Sequence, residues 1–185
     1  MSHNPELIEK LKKGNAAYLT AASNPGDVSA AVRKDTTVNG QHPYAVVVCC
    51  SDSRVVPEAI FSAGIGELFV IRAAGNIINN TQLGSIQYAA GHLGCKVILV
   101  LGHTNCGAVD ASLHGGGHGF VKFLTDEIIE NIAGETDPYK ASCINAQKGV
   151  EKIKTALADD HEALTPTTDV LAAIYDIESG EVKFL

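Results

Sequence analysis

Apolar residues gather along this chain in short dense runs, and the polar stretches between them repeat their apolar positions at helical spacing. Val46-Val47-Val48 and Val97-Ile98-Leu99-Val100-Leu101 are continuous and rich in β-branched residues, which predicts buried strands over 44–49 and 97–101. Leu68-Phe69-Val70-Ile71 and the stretch 170–175 predict two more. After the turn signal Glu178-Ser179-Gly180, residues 182–185 predict a short antiparallel strand at the sheet edge.

Helical patterns lie between these runs. Asn4-Pro5 predicts a helix start, followed by Leu7, Ile8, Leu11, Tyr18 and Leu19. Residues 22–40 read as connection with a short helix near 28–33, and Pro57 opens a short helix through Phe61. Further helices are expected over 81–93 with a stop at Gly94, over 106–113, over 120–132 and over 138–159. The strand–helix–strand alternation predicts an α/β fold with a central, mostly parallel β-sheet, an antiparallel edge strand and flanking helices. The N-terminal helical arm, preceding the first core strand, must pack outside the sheet or on another subunit.

The chain has 185 residues, without internal repeat, low-complexity tract or linker, so one domain is expected over 1–185, with an arm at 1–40 and an α/β core at 41–185. Fourteen basic against 21 acidic residues, with no basic cluster, exclude nucleic acid and anionic membrane surfaces as partners. The apolar runs fall far short of the ~20 residues that span a bilayer. Met1-Ser2-His3-Asn4-Pro5-Glu6 lacks the charged lead and apolar core of an export signal, and five cysteines, an odd number, do not suggest a disulfide framework. A cytoplasmic protein using its thiols reduced or on a metal is the expectation.

Two strand exits carry the chemistry. The first run ends in Cys49-Cys50-Ser51-Asp52-Ser53-Arg54, where Cys50, Asp52 and Arg54 share one side if the segment stays extended. The second ends in Gly102-His103-Thr104-Asn105-Cys106-Gly107. Open α/β sheets bind ligands outside the carboxyl ends of their strands, which would bring Cys50, His103 and Cys106 together. Two thiolates and an imidazole suit tetrahedral zinc. Water in the fourth position makes such a site catalytic; Asp52 in that position closes it.

Cys-Ser-Asp-Ser-Arg-Val, then Glu-Leu-Phe-Val-Ile-Arg with Ala-Gly-Asn, then Gly-His-Thr-Asn-Cys-Gly-Ala resembles the β-class carbonic anhydrases, as does the ending Ala-Ile-Tyr-Asp-Ile-Glu-Ser-Gly-Glu-Val. The resemblance runs continuously from about Gln41 to Gly107, with the C-terminal strand added. It implies one zinc per subunit on Cys50, His103 and Cys106, and reversible hydration of carbon dioxide to bicarbonate and a proton by zinc-bound hydroxide. Two thiolate ligands should make the bound water less acidic than three imidazoles would, so activity is expected to rise into mildly alkaline pH. Asp52 and Arg54 become catalytic residues in this reading: paired, they leave the metal open and hold Asp52 as an acceptor; unpaired, they free Asp52 to become the fourth ligand. Gln41, Phe69, Ala74, Tyr88 and Gly107 fall at the family's substrate-pocket positions, the glutamine typically reaching across a dimer interface. Ala74 stands where a larger aliphatic residue is often found. A homodimer, with assembly to a tetramer or higher, is implied.

Other candidates weigh less. His114 and His118 flank three glycines and read as a solvent loop sooner than as a proton relay or second metal site. Cys49, Cys95 and Cys143 read as small buried apolar residues. Rival functions are a hydrolase of carbon disulfide or carbonyl sulfide on the same scaffold, and a non-catalytic zinc protein with Asp52 as permanent ligand. A thiol redox protein would need a Cys-x-x-Cys pair that the sequence lacks.

Overall fold

The computed structural model describes residues 2–161 and 164–185. Five strands form one sheet among the described residues: β1 (Ala45–Cys49), β2 (Leu68–Arg72), β3 (Val97–His103), β4 (Asp169–Tyr175) and β5 (Val182–Phe184). The order is β2-β1-β3-β4-β5, with every pairing parallel except β4–β5. From β1 the chain moves to one side for β2 and returns across β1 for β3. The carboxyl ends of β1 and β3 therefore flank a topological switch point, where doubly wound sheets open a crevice.

Helices α1 (Pro5–Thr20) and α3 (Pro57–Ile60) cover one face, burying Ile8, Leu11 and Ile60 against Ala45, Val47, Cys49, Leu99 and Leu101. Helices α4 (Asn80–Gln87) and α7 (Pro138–Ala156) cover the other, through Ile86, Ala146 and Ile153 against Val46, Val48, Ile98 and Val100. Both faces being covered explains why the central strands are uninterrupted apolar runs. Above the strand ends, α5 (Gly107–Leu113) and α6 (Val121–Ile132) form a third apolar cluster that includes Cys50 and Cys106.

The arm is seated closely. Gly14 of α1 lies so near the Phe61 carbonyl that a Cβ there would be 2.0 Å from the oxygen. Buried Asn15 donates to the Ile60 and Gly180 carbonyls and accepts from the Val182 N–H, tying α1 to α3 and to the β4–β5 turn.

Several boundaries differ from expectation, three of them for a visible physical reason. Helix α2 spans Ala30–Asn39 instead of 28–33, begun by the Ser29 hydroxyl accepting from the Val32 N–H; it buries no residue, so no apolar period announced it. The helix expected over 81–93 is α-helical only to Gln87 and continues as a π turn, Tyr88–His92, before Gly94 at φ 72° stops it. Strand β3 runs two residues beyond Leu101, because Gly102 and His103 pair with Ile174 and Tyr175.

Candidate metal centre

Cys50 follows the last residue of β1, His103 is the last residue of β3, and Cys106 caps α5 three residues further on. Their ligand atoms lie within 4.8 Å of one another, and all three residues are buried. A tetrahedral zinc site needs ligand separations of ~3.5–3.8 Å, which a small contraction supplies. The His103 ring is already aimed for this. Its Nδ1 stands 2.8 Å from the Thr104 carbonyl oxygen, which can only accept, so Nδ1 carries the proton and Nε2 presents its lone pair. Nε2 is buried with no hydrogen-bond partner among the described residues. A buried acceptor left without a partner is costly, and a metal ion answers it.

Electrostatics place the anion of the thiol pair on Cys50. The neighbouring Cys106 thiol and the backbone N–H groups of Asp52 and Gly75 hold the Cys50 thiol below its ordinary value. Cys106 moves in the opposite direction, because the adjacent Cys50 sulfur and burial both favour keeping its proton. The distances are 3.4 Å from the Asp52 N–H nitrogen and 3.2 Å from that of Gly75 to the Cys50 Sγ. By contrast, burial pushes the thiols of Cys49 and Cys95 up to about 12 and 11, as befits inert apolar residues.

Beyond Cys50 the chain does not stay extended. The Val55 N–H bonds the Asp52 carbonyl, closing a turn. Asp52 and Arg54 still share a side: Arg54 donates from Nε and Nη2 to the two carboxylate oxygens, and this pairing holds the Asp52 carboxyl well below the ordinary carboxylate range. Arg72 shapes the same turn, donating to the Cys50 and Asp52 carbonyls.

The remaining pocket candidates divide into two groups. Ala74 sits in the 3-10 turn Ala74–Asn76 that follows β2 and supplies the Gly75 N–H, while Gly107 is exposed at the start of α5 beside Cys106. Gln41, Phe69 and Tyr88 are elsewhere. Phe69 pairs with Val46, four residues before Cys50, which puts it ~13 Å back along the sheet. Tyr88 packs on Phe69 with ring centroids 6.1 Å apart and on His92 at 5.3 Å, and it is 47% exposed. Gln41 is exposed and enters β1 from the end opposite the ligands.

His114 and His118 are exposed, His114 lying 3.5 Å from Asp110, in keeping with a solvent loop. Residues that sequence reasoning missed are Thr104, whose carbonyl orients His103, Gly75, whose N–H meets the Cys50 sulfur, and Asn105, whose carbonyl receives Arg54. Gly75 had a signal, a glycine at a strand exit; the backbone carbonyls of Thr104 and Asn105 had none.

Comparison with known proteins bears on this geometry. A family model described as carbonic anhydrase matches residues 45–182. The carbonic anhydrase of Mycolicibacterium smegmatis is 35% identical over 195 residues, covering 97% of this chain and 93% of that protein. Among solved structures, the β-carbonic anhydrase CafA of Aspergillus fumigatus superposes with TM-score 0.75 at 25% identity, over 82% of this chain and 79% of its own. A structure from a study of two tetrameric β-carbonic anhydrases of Sordaria macrospora has TM-score 0.68 at 22% identity, covering 99% of this chain and 95% of its own.

Proposed function

Because the chain belongs to the β-carbonic anhydrase family, we propose that it is a zinc enzyme that interconverts carbon dioxide plus water with bicarbonate plus a proton. The observation that carries this reading is the buried Cys50, His103 and Cys106 cluster, with its unpartnered imidazole nitrogen, beside the Asp52–Arg54 pair.

Cys50 and Cys106 would hold zinc through sulfur and His103 through Nε2. The metal would supply Lewis acidity that makes water a nucleophile near neutral pH. Asp52, kept ionised by Arg54, can only accept hydrogen bonds. Its carboxylate would accept a hydrogen bond from the attacking water and so turn the oxygen lone pair toward the carbon of the substrate. Arg54 binds both Asp52 oxygens and the Asn105 carbonyl, which holds the acceptor at a fixed place between the two ligand-bearing segments. Thr104 fixes the proton on His103 Nδ1. The same engagement of Asp52 speaks against a non-catalytic zinc protein in which Asp52 is a permanent ligand.

In this reading the substrate pocket is completed by a second copy of the chain. Gln41, Phe69 and Tyr88 lie away from the ligands of their own chain, and α2 offers a helix with no buried side chain for a partner to cover. A homodimer, assembling further to a tetramer or higher, is therefore proposed, with residues 1–185 acting as one unit. The five cysteines are all free, which accords with a cytoplasmic location, and no described helix is long and apolar enough to cross a membrane.

Stopped-flow hydration of carbon dioxide by zinc-loaded protein at pH 7 and pH 8.5, with Cys106→Ala as control, tests the proposal. Rapid turnover, faster at pH 8.5 and absent from the control, is expected. Zinc-bound protein idle toward carbon dioxide yet active on carbonyl sulfide or carbon disulfide would reassign the substrate.

A further inference from the structure

Behind Cys50 runs a relay of hydrogen bonds, buried from Asn145 inward, between residues far apart in sequence. Asn131 on α6 donates from Nδ2 to Asn145 Oδ1 at 2.9 Å. Asn145 on α7 donates from Nδ2 to the Gly75 carbonyl at 2.8 Å. Gly75 donates its N–H to the Cys50 Sγ at 3.2 Å. Asn145 is 2% exposed on a helix face otherwise buried through Ala141, Ala146, Gly149 and Ile153. An apolar residue of similar volume would pack there without the cost of desolvating an amide. Both ends of the amide are instead used in fixed directions, one toward the turn that carries Gly75.

That turn has little freedom of its own. Gly75 sits at φ 69°, ψ 17°, and a Cβ there would lie 2.5 Å from Ile128 Cδ1 and 3.1 Å from Ala108 Cβ. Its carbonyl is gripped from α7 while its N–H faces sulfur. A hydrogen bond donated to a thiolate withdraws charge from it, and such outer contacts set how a ligand meets its metal.

We infer that Asn145, itself held by Asn131, is a positioning residue for the ligand Cys50, acting by fixing Gly75 so that its N–H stays aimed at the sulfur. The inference rests on the metal reading of the Cys50, His103 and Cys106 cluster.

Asn145→Leu keeps the branched heavy-atom shape and removes both hydrogen bonds; Asn131→Ala removes only the outer one. Zinc affinity is read by chelator competition, and the sulfur-to-cobalt charge-transfer band is read on the cobalt(II)-substituted protein. Asn145→Leu should weaken zinc about tenfold and move the band to lower energy, because a sulfur without its N–H donor releases charge more readily. Asn131→Ala should move both in the same direction by less. Folded variants with zinc affinity within about twofold of wild type and an unmoved band would overturn the inference. Should Asn145→Leu fail to fold, Asn131→Ala decides alone by the same two readings. Wild-type protein that takes up neither zinc nor cobalt would instead overturn the metal reading, and this inference with it.

Discussion

Arg54 closes on Asp52 with three donors: Nε reaches Oδ1 at 3.0 Å, Nη2 reaches Oδ2 at 2.7 Å, and the Arg54 backbone N–H reaches Oδ1 at 2.9 Å. Nη2 also meets the carbonyl of Asn105, the residue before Cys106. One guanidinium thus joins the segment bearing Cys50 to the segment bearing Cys106.

Stability and activity should separate at this pair. The Arg54 side chain is 51% exposed, and ion pairs so open to water contribute at most ~1 kcal/mol. Arg54→Leu should therefore lower the urea midpoint only slightly. Turnover should fall about a hundredfold, because the misplaced Asp52 no longer orients the attacking water. X-ray absorption at the zinc edge should show an added carboxylate oxygen in the variant. Turnover within a few-fold of wild type would rule out the orienting role.

Gly75→Ala combines two penalties. A side chain at φ 69° costs roughly 1–2 kcal/mol, and forcing a methyl against Ile128 and Ala108 costs roughly 1–3 kcal/mol more. Denaturant unfolding of the metal-free variant should show a loss of about 2–5 kcal/mol. An unchanged midpoint would mean that the turn relaxes freely.

Much of this architecture is legible in the sequence because the decisive signals are local. The valine run of β1 and the aliphatic run of β3 have too few polar residues to be anything but covered strands, and Pro5, Pro57 and Pro138 each stand at a helix start. The same locality brings Cys50, His103 and Cys106 into view, since each lies within three residues of a strand end. Helix α2 hid because nothing buried imposes a period on it, and the π turn at Tyr88 hid because one extra residue per turn leaves the apolar spacing nearly unchanged. Asn145 and Gly75 are 70 residues apart, and only packing of α7 over the strand ends brings them into contact.

The N-terminal anchor gives a pH dependence with a definite sign. Asp169, at the start of β4, accepts hydrogen bonds from the Ser2 hydroxyl, the His3 and Asn4 N–H groups and the Asn4 amide. Burial opposes the charged carboxylate, but these donors outweigh it and leave the group below its ordinary value. A carboxyl lowered by folding stabilises above its unfolded pKa of about 3.9 and loses that contribution as pH falls through the folded value. The difference in urea midpoint between wild type and Asp169→Ala should be full at pH 7 and shrink toward zero in acid below about pH 4. A difference independent of pH would assign the effect of the substitution to packing.

A pocket shared between subunits makes a prediction that no single-chain site can imitate. Tyr88 stands exposed over Phe69, which lies far along the sheet from Cys50, so its proposed substrate contact is at the metal centre of a neighbour. Tyr88→Ala should lower kcat/KM with zinc content unchanged, and Cys106→Ala should lack activity. In a hybrid dimer of the two variants, the chain with intact ligands faces the chain with intact Tyr88, and one complete site is restored. Co-expression should therefore yield activity well above the mean of the parents. If it yields only that mean while native mass spectrometry shows hybrids present, Tyr88 serves its own chain or none.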